Sequence, residues 1–256
     1  MNQNIIADVR RNQPLIHHIT NQVVMNFTAN GLLAFGGSPI MAKATEEVAD
    51  IASVSDGLLI NIGTLMQADH KAMILAGKAA NDKGIPVVLD PVGIAATPYR
   101  TKVVHDILDQ VDVTAIKGNA GEMAHLAEIA WETKGVESLG DGNVDEIARK
   151  VAKTYRTVAV VTGKTDTIST GKRLLHNDKG HSLLEQVTGA GCLLGSILTA
   201  CLTTDHPTEE QALSALIFYG HAAELAASQP NVLGPASFKT NFIDALSFDV
   251  TRLQGR

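Results

Sequence analysis

The chain has 256 residues, of which 45% are hydrophobic, and a formal net charge of −6. This composition is typical of a folded globular protein, and the length suits one large domain or two small ones. The acidic charge argues against a general nucleic-acid-binding surface. No apolar run is long enough to span a membrane, and residues 1–12 lack a signal-peptide pattern. We therefore expect a cytoplasmic protein without membrane or nucleic-acid partners.

Hydrophobic periodicity switches repeatedly between the helical and the strand pattern along the chain. Asn21 is the predicted N-cap of the second helix. In chain order the pattern predicts helix 5–12, strand 15–20, helix 22–35, an extended segment 38–41, helix 45–55, strand 57–62, helix 67–83, strand 86–89, helix 98–110, strand 111–116, helix 120–128, a polar loop 135–143, helix 145–155, strand 158–162, a hairpin 165–176 around Gly171, and helices 190–203, 209–228 and 238–256.

Strands alternate with helices at least five times in this prediction. Such alternation indicates βαβ units and a mostly parallel central sheet with helices on both faces. No internal repeat, low-complexity segment or linker divides the chain. We therefore predict one α/β domain over residues 1–256.

In sheets of this kind, ligands bind beyond the carboxyl ends of the strands. Polar side chains follow most of the predicted strands, and we expect them to converge on one rim near the helix that starts after Gly189. These rim segments are Thr20-Asn21, residues 61–64, Asp90, residues 117–119 and Thr162-Gly163.

A small-residue loop, Val-Thr-Gly-Ala-Gly-Cys at 187–192, leads into a buried helix. Free N–H groups and the positive end of the helix dipole favour an anion there. A merely tight turn is the structural alternative. Gly163-Lys164-Thr165 is not a P-loop, because Val158 replaces a required glycine and no helix follows. Residues 189–195 are one residue too long for a dinucleotide fingerprint, so neither common motif explains the loop.

The two cysteines, Cys192 and Cys201, fall on one predicted helix. Their separation along the helix is about 13 Å, which is too far for a disulfide bond. We interpret Cys201, in the apolar stripe, as a core residue. Cys192 lies in the first helical turn beside the glycine loop. None of the nine histidines stands in a cysteine-protease context, which argues against a nucleophilic role for Cys192.

Asp90 is the best candidate for a metal-binding carboxylate, because it ends an apolar strand before Pro and Gly. Asn119 and Glu122 share one face of a helical turn, and carboxylate and phosphate oxygens suit a hydrated Mg²⁺. Helix capping and dipole complementation are the structural alternatives. Lys117 either neutralises a nucleotide phosphate or is an ordinary surface lysine. The adjacent histidines at 17 and 18 point to opposite faces of a strand, which argues against a paired metal site.

Several of these segments resemble the hydroxyethylthiazole kinase family, which has a ribokinase-like fold. The match runs in order along nearly the whole chain, and the Gly-Ala-Gly-Cys element is its most specific part. The segments are Ile-Thr-Asn at 19–21, Asn-Ile-Gly-Thr-Leu at 61–65, Leu-Asp-Pro-Val-Gly at 89–93, Asn-Ala-Gly-Glu at 119–122, Val-Thr-Gly-Ala-Gly-Cys at 187–192 and Gly-Pro-Ala-Ser-Phe at 234–238.

The resemblance implies ATP-dependent phosphorylation of the primary alcohol of 4-methyl-5-(2-hydroxyethyl)thiazole, a step of thiamine salvage. It also implies a homotrimer with active sites at the subunit interfaces. The implied site residues are Met41, Asn21 and Gly189 for the thiazole, Lys117, Thr162 and Gly191 for ATP, Asp90 and Glu122 for Mg²⁺, and Cys192 as catalytic base. A helix N-terminus lowers a thiol pKa, so we expect a favoured thiolate at Cys192.

Three positions depart from the expected pattern: Cys192 where most ribokinase-like kinases carry Asp, Ala236 in place of a glycine, and Gly121 inside a helix. Two alternative functions stay open. One is another ribokinase-like enzyme, such as a hydroxymethylpyrimidine kinase or an ADP-linked hydrate dehydratase. The other is a non-catalytic protein that binds a nucleotide or a thiazole. Binding alone needs no base, so Asp90, Glu122, Lys117 and Cys192 together favour an enzyme.

Overall fold

A computed structural model describes residues 1–131 and 141–254, and only the backbone of 141–143 and 254. In chain order the elements are α1 (Gln3–Asn12), β1 (Leu15–Ile19), α2 (Met25–Phe35), β2 (Ser38–Met41), α3 (Val48–Val54), β3 (Gly57–Asn61), α4 (Gln67–Lys83), β4 (Val87–Asp90), a short 3-10 helix (Ile94–Ala96), α5 (Pro98–Leu108), β5 (Ala115–Asn119), α6 (Ala120–Leu126), α7 (Asp141–Tyr155), β6 (Val158–Thr162), β7 (Asp166–Ser169), β8 (Leu174–Asn177), a second 3-10 helix (Ser182–Gln186), α8 (Ala190–Cys201), α9 (Thr208–Ala227), α10 (Pro235–Leu246) and α11 (Val250–Gln254).

The strands form one eight-stranded sheet with the order β2-β1-β3-β4-β5-β6-β7-β8. Strands β1 to β6 are parallel, and β7 and β8 complete the sheet as an antiparallel hairpin. The carboxyl ends of the six parallel strands therefore meet at one edge of the sheet. The predicted α/β fold class, with a mostly parallel sheet, is confirmed.

Helices cover both faces of the sheet, and each face has its own hydrophobic core. Helices α1, α2, α8, α9 and α10 pack on one face, and α3 to α7 pack on the other. Burial on both faces explains why the central strands are continuously apolar, as in the Leu-Leu-Ile of β3. Among the described helices, none is both long and apolar enough to cross a membrane.

Alternation along the strands decides which face each polar strand end meets, because successive side chains point to opposite faces. Leu59, Val88, Ala115 and Val160 all lie in the core on the α8 face. The residue two positions after each of them therefore points to the same face. Those residues are Asn61, Asp90, Lys117 and Thr162.

Helix α8 lies close over β1, β3 and β4 because its sheet-facing residues are small. A Cβ on Gly195 would lie 3.3 Å from Leu59 Cδ1 and 3.7 Å from Asp90 Oδ2. The next residue of α8 is Ser196, whose Oγ lies 2.9 Å from Nε2 of the buried His18. These contacts hold the N-terminal half of α8 close over the sheet, so that its first turn lies near the strand ends.

Several predicted boundaries are wrong by a few residues, such as helix 45–55, which spans only Val48–Val54, and three further cases follow. Helix α2 begins at Met25, so Asn21 is not its N-cap. The fifth strand begins at Ala115 and not at 111, because Val111 continues the α5 turn through its N–H bond to Ile107 O and packs against Gly77 of α4. Residues 135–140 of the predicted polar loop lie outside the described residues, and 141–143 belong to α7.

The predicted terminal helix 238–256 is two helices, α10 and α11. The break lies where Arg10 of α1 enters. Its guanidinium donates to the carbonyl oxygens of Leu246 at 3.0 Å and Phe248 at 2.9 Å. These carbonyls would otherwise accept the next helical amides, so the side chain of Arg10 caps α10 and ties the two ends of the chain together.

Candidate active site

Four side chains from neighbouring strand ends form one hydrogen-bonded network at the carboxyl edge of the sheet. The Nδ2 of Asn21 donates to Asn61 Oδ1 at 2.9 Å, and Asn61 Nδ2 donates to Asp90 Oδ2 at 2.8 Å. Lys117 Nζ then donates to Asp90 Oδ2 at 3.0 Å and to Gly191 O, in the first turn of α8, at 2.9 Å. The predicted convergence of the rim on the helix after Gly189 is confirmed.

Asp90 and Lys117 form a buried ion pair, with 0% and 4% of each residue exposed. Burial raises the pKa of the Asp90 carboxyl, and the Lys117 ammonium opposes that rise. Burial by itself would lower the pKa of Lys117, but the negative charges around it, Asp90 first, raise the pKa overall. Lys117 therefore keeps its proton and places a positive charge under the first turn of α8.

Cys192 lies in the same network, with its Sγ 3.3 Å from Asn61 Nδ2 and 3.4 Å from Asn21 Nδ2. The sulfur accepts both hydrogen bonds. Burial and the Asp90 carboxylate nevertheless raise the pKa of Cys192 above its ordinary value, and Lys117 and the two amides offset this only in part. The expectation of a favoured thiolate is wrong, because the helix N-terminus acts on a largely buried sulfur.

Gly189 gives the loop before α8 its shape. Its φ of +91° lies in the left-handed region, and a Cβ there would lie 2.5 Å from Val24 Cγ1. The Ala190 N–H donates to Val187 O, so this amide is not available to a ligand. The hydroxyl of the buried Tyr219 donates to Ala190 O at 2.6 Å and holds the turn from behind. Tight packing and the bond from Tyr219 therefore fix the shape of this loop, and the Ala190 amide takes no part in binding an anion.

Glu122 and Asn119 form a reciprocal capping box at the start of α6. The Asn119 side chain accepts from Glu122 N at 2.9 Å, and Glu122 Oε2 accepts from Asn119 N at 2.9 Å. Glu122 Oε1 also accepts from Gly93 N at 2.9 Å, which ties the loop after β4 to α6. The capping alternative is thus correct for this pair, and it leaves lone pairs on Glu122 for water.

The carboxylates fit a hydrated magnesium ion better than a fully protein-coordinated metal. Oδ1 of Asp90 is buried and has no hydrogen-bond partner among the described residues. In those same residues no three or more His, Cys, Asp or Glu side chains group as a metal site. Mg²⁺ takes one or two carboxylates and otherwise keeps water and phosphate oxygens, so Asp90 and Glu122 suit that ion.

Two of the predicted site residues lie on the same edge of the sheet but outside the network. Met41 ends the edge strand β2, in register with His18 of β1. Thr162 ends β6 in register with Asn119, and its hydroxyl donates to Gly118 O at 3.3 Å. Their positions are compatible with the predicted substrate and ATP contacts, which stay predictions.

The remaining interpretations of histidine and cysteine hold. The His18 side chain faces α8, whereas His17 turns to the opposite face and places Nε2 2.8 Å from Ala42 O. Cys201 is fully buried in the core. Burial lowers the pKa of His18 to about 4, so this side chain is neutral at physiological pH.

Asn61 was predicted only as part of the rim segment 61–64, without a role of its own, and Arg100 was not predicted at all. Asn61 joins Asn21, Cys192 and Asp90, and its position two residues after the α8-facing Leu59 was the available signal. Arg100 of α5 has no such signal. Its guanidinium donates to Ile62 O at 2.6 Å, Val92 O at 2.8 Å and Gly63 O at 2.6 Å, and so fastens the loops after β3 and β4.

A separate cleft of about 730 Å³ lies beside α4 and is lined by residues such as His70, Lys71 and Gln110. It contains none of the strand-end residues of the network. We assign the site to the strand ends, because the thiol, the buried ion pair and the first turn of α8 converge there and not in this cleft.

This sheet order, with charged strand ends beneath a glycine-rich helix N-terminus, gives the chain a ribokinase-like fold. A ribokinase-like superfamily protein from Enterococcus faecalis has the same fold, with a TM-score of 0.68 at 12% identity over 96% of this chain and 94% of that one. The model of the hydroxyethylthiazole kinase family matches residues 6–251. The chain belongs to the hydroxyethylthiazole kinase family.

Two members of that family show how similar this chain is to them. Hydroxyethylthiazole kinase 1 of Oceanobacillus iheyensis is 57% identical over 247 residues, which is 96% of each chain. The structure of the hydroxyethylthiazole kinase protein from Pyrococcus horikoshii OT3 has a TM-score of 0.88 and 38% identity, covering 98% of this chain and 95% of that one.

Proposed function

We propose that this chain phosphorylates the primary hydroxyl of 4-methyl-5-(2-hydroxyethyl)thiazole with ATP, as a step of thiamine salvage. The observation that carries the proposal is the network itself. It joins a thiol, a buried Asp90–Lys117 ion pair and the first turn of α8 at the ligand-binding edge of a ribokinase-like sheet. Family membership supplies the identity of the alcohol.

The transfer requires little covalent chemistry from the protein. The substrate hydroxyl oxygen attacks the γ-phosphorus, the bond to the β–γ bridging oxygen breaks, and ADP leaves with that electron pair. The hydroxyl proton passes to Cys192 Sγ in its deprotonated form. Since the transition state is loose, the hydroxyl loses its proton late, and a base that is only partly deprotonated suffices.

Charge stabilisation comes from the first turn of α8 and from Lys117. The amides of Gly191 and Cys192 precede the first intrahelical bond of α8, which runs from Leu193 N to Gly189 O. In the proposal they bind the transferring phosphoryl group. Two donor positions of the Lys117 ammonium serve Asp90 and Gly191, and the third is left for a phosphate oxygen.

Asp90, whose Oδ1 has no hydrogen-bond partner among the described residues, and Glu122 would hold the magnesium ion. When bound, Mg²⁺ neutralises charge on the β- and γ-phosphates. In the same proposal Asn21, Met41 and Gly189 contact the thiazole, and Lys117, Thr162 and Gly191 contact ATP.

We also propose a cytoplasmic homotrimer with the active sites at its subunit interfaces. Exposed apolar side chains flank the site loops, as an interface requires. Val23, beside Asn21, is 68% exposed, and Met66, beyond the 61–65 segment, is 56% exposed. Light scattering on the protein as it elutes from a size-exclusion column measures its mass directly. A monomeric mass under assay conditions would contradict this part of the proposal.

An assay of ADP release tests the activity. The purified chain with ATP and MgCl₂ should release ADP only when the thiazole alcohol is present, and mass spectrometry should identify the phosphate ester. The matched control is 4-methyl-5-ethylthiazole, which lacks the hydroxyl. Hydroxymethylpyrimidine and NADPH hydrate test the neighbouring activities. Preference for either of them, or equal ADP release with the ethyl analogue, would overturn the proposal.

A further inference from the structure

Asn61 occupies the centre of the site and is 1% exposed. Its side chain makes four hydrogen bonds to four different partners. Oδ1 accepts from Asn21 Nδ2 at 2.9 Å and from the backbone N–H of Gly63 at 3.0 Å. Nδ2 donates to Asp90 Oδ2 at 2.8 Å and to Cys192 Sγ at 3.3 Å.

The backbone of Gly63 fixes the orientation of this amide. A backbone N–H can only donate, so the Asn61 atom that faces Gly63 must be the oxygen. Both hydrogens of Nδ2 then face the Asp90 carboxylate and the Cys192 sulfur. A side-chain amide has two donor hydrogens and two acceptor lone pairs, and all four are used here.

The loop that fixes Asn61 is itself held in place. Arg100 donates to the carbonyl oxygens of Ile62 and Gly63, both at 2.6 Å. A Cβ on Gly63 would lie 2.8 Å from Asn21 Nδ2, so the backbone approaches the network as closely as a glycine allows. The orientation of the Asn61 amide is therefore determined by the backbone after β3.

We propose that Asn61 is a positioning residue that acts through Cys192: it anchors the sulfur beside the α8 N-terminus. No other described side chain bonds both Cys192 and Asp90 directly. An Asn61 amide that is missing or reversed leaves the sulfur with only the 3.4 Å bond from Asn21. This inference rests on the proposed role of Cys192 as proton acceptor.

The test compares Asn61→Ala and Asn61→Asp in the full-length enzyme. Asn61→Asp keeps an oxygen for Gly63 and Asn21 but removes both donors. We expect kcat to fall by about 10- to 100-fold in each variant, because small misplacement of a reacting group has costs of that size. We expect KM for ATP and for the thiazole alcohol to change by less than about threefold, since uniform binding is untouched.

A double-mutant cycle separates positioning from a structural role. In a Cys192→Ala background, Asn61→Ala should cost less than about threefold in kcat, because the group it positions is already absent. Asn81→Ala is the matched control, since Asn81 exchanges two hydrogen bonds with the backbone of Asp112 away from the site. It should leave kcat unchanged. Circular dichroism and thermal unfolding verify that every variant is folded.

Two different results would overturn two different claims. If Cys192→Ala has the kcat of the wild type, the base assignment fails. If Cys192→Ala lowers kcat and Asn61→Ala costs the same factor in both backgrounds, the base assignment stands and the positioning role of Asn61 fails. A loss confined to KM, or an unchanged kcat in both Asn61 variants, also overturns the positioning role. If Asn61→Ala is unfolded, Asn61→Asp decides the question in the same cycle.

Discussion

Cys192 experiences opposing influences on its proton, and their balance predicts a pH dependence. Burial and Asp90 raise its pKa, and Lys117 and two amides lower it less. A base must be deprotonated to act, so we expect kcat to rise steadily between about pH 6 and 9. Cys192→Asp carries a carboxylate that should be ionised over this range and should lose the rise. Steady-state kcat at saturating substrates measures both profiles, and parallel profiles would contradict the assignment.

The Asp90–Lys117 pair predicts a large difference between single and double substitutions. Lys117→Met leaves a buried carboxylate unpaired and should lower the free energy of unfolding by about 3–5 kcal/mol. Adding Asp90→Asn removes the charge and should recover most of that loss, without restoring activity. Urea unfolding at fixed protein concentration measures this.

Lys102→Met is the control for that experiment, because Lys102 pairs with Asp106 one turn away on the surface of α5. Exposed pairs are worth about 0–1 kcal/mol, so Lys102→Met should be nearly neutral. If Lys117→Met costs no more than Lys102→Met, the buried ion pair does not stabilise the fold.

At the scale of elements, the loop before α8 depends on a glycine that no other residue replaces without strain. Gly189→Ala places a Cβ at a φ of +91° and against Val24, and should lower stability by about 1–3 kcal/mol. Gly121→Ala, with no heavy atom closer than 3.4 Å to the new Cβ, should stabilise α6 by about 0.5–1 kcal/mol. Thermal unfolding of both variants checks this contrast. A change in stability of the same sign in both variants would refute it.

The same elements show what the sequence could predict. Period-two alternation places Asn61, Asp90 and Lys117 on one face, so their convergence followed from the strands alone. The position of Asn21 did not follow. A polar residue before a helical pattern indicates a cap, but here an intervening turn leads the side chain to Asn61 and Cys192. Tertiary partners decided its role, and they are distant in sequence.

At the scale of the whole molecule, the alternation of strands and helices was enough for the fold class, because only helices on both faces can bury a parallel sheet. It was not enough for the chain ends. The guanidinium of Arg10 divides the terminal helix by bonds across more than 230 residues, and no local pattern reports such a contact. Burial of Cys192 likewise depends on the assembled fold, which is why its proton affinity was predicted in the wrong direction.

The buried His18 links global stability to pH. Its neutral ring bonds Ser196 Oγ and lies near Ile16 O, and burial lowers its pKa to about 4 from the ordinary value of 6.5. The unfolded chain therefore binds a proton between these values that the folded chain does not. The stabilisation is complete above about pH 6.5 and is lost as pH falls toward 4. Between pH 7.5 and 5 the loss should be about 2 kcal/mol.

His18→Gln isolates this contribution, because the variant cannot take up the proton. Both proteins are unfolded in urea at pH 7.5 and at pH 5. The free energy of unfolding of the wild type should fall by about 2 kcal/mol more than that of His18→Gln. The neighbouring His17 also has a pKa lowered by burial, but it is present in both proteins and cancels in the difference. A second comparison at pH 7.5 and 9 should show no difference, since neither state of His18 titrates there. Equal acid sensitivity of the two proteins would mean that His18 is protonated in the folded enzyme, and that the contact holding α8 over the strand ends survives the charge.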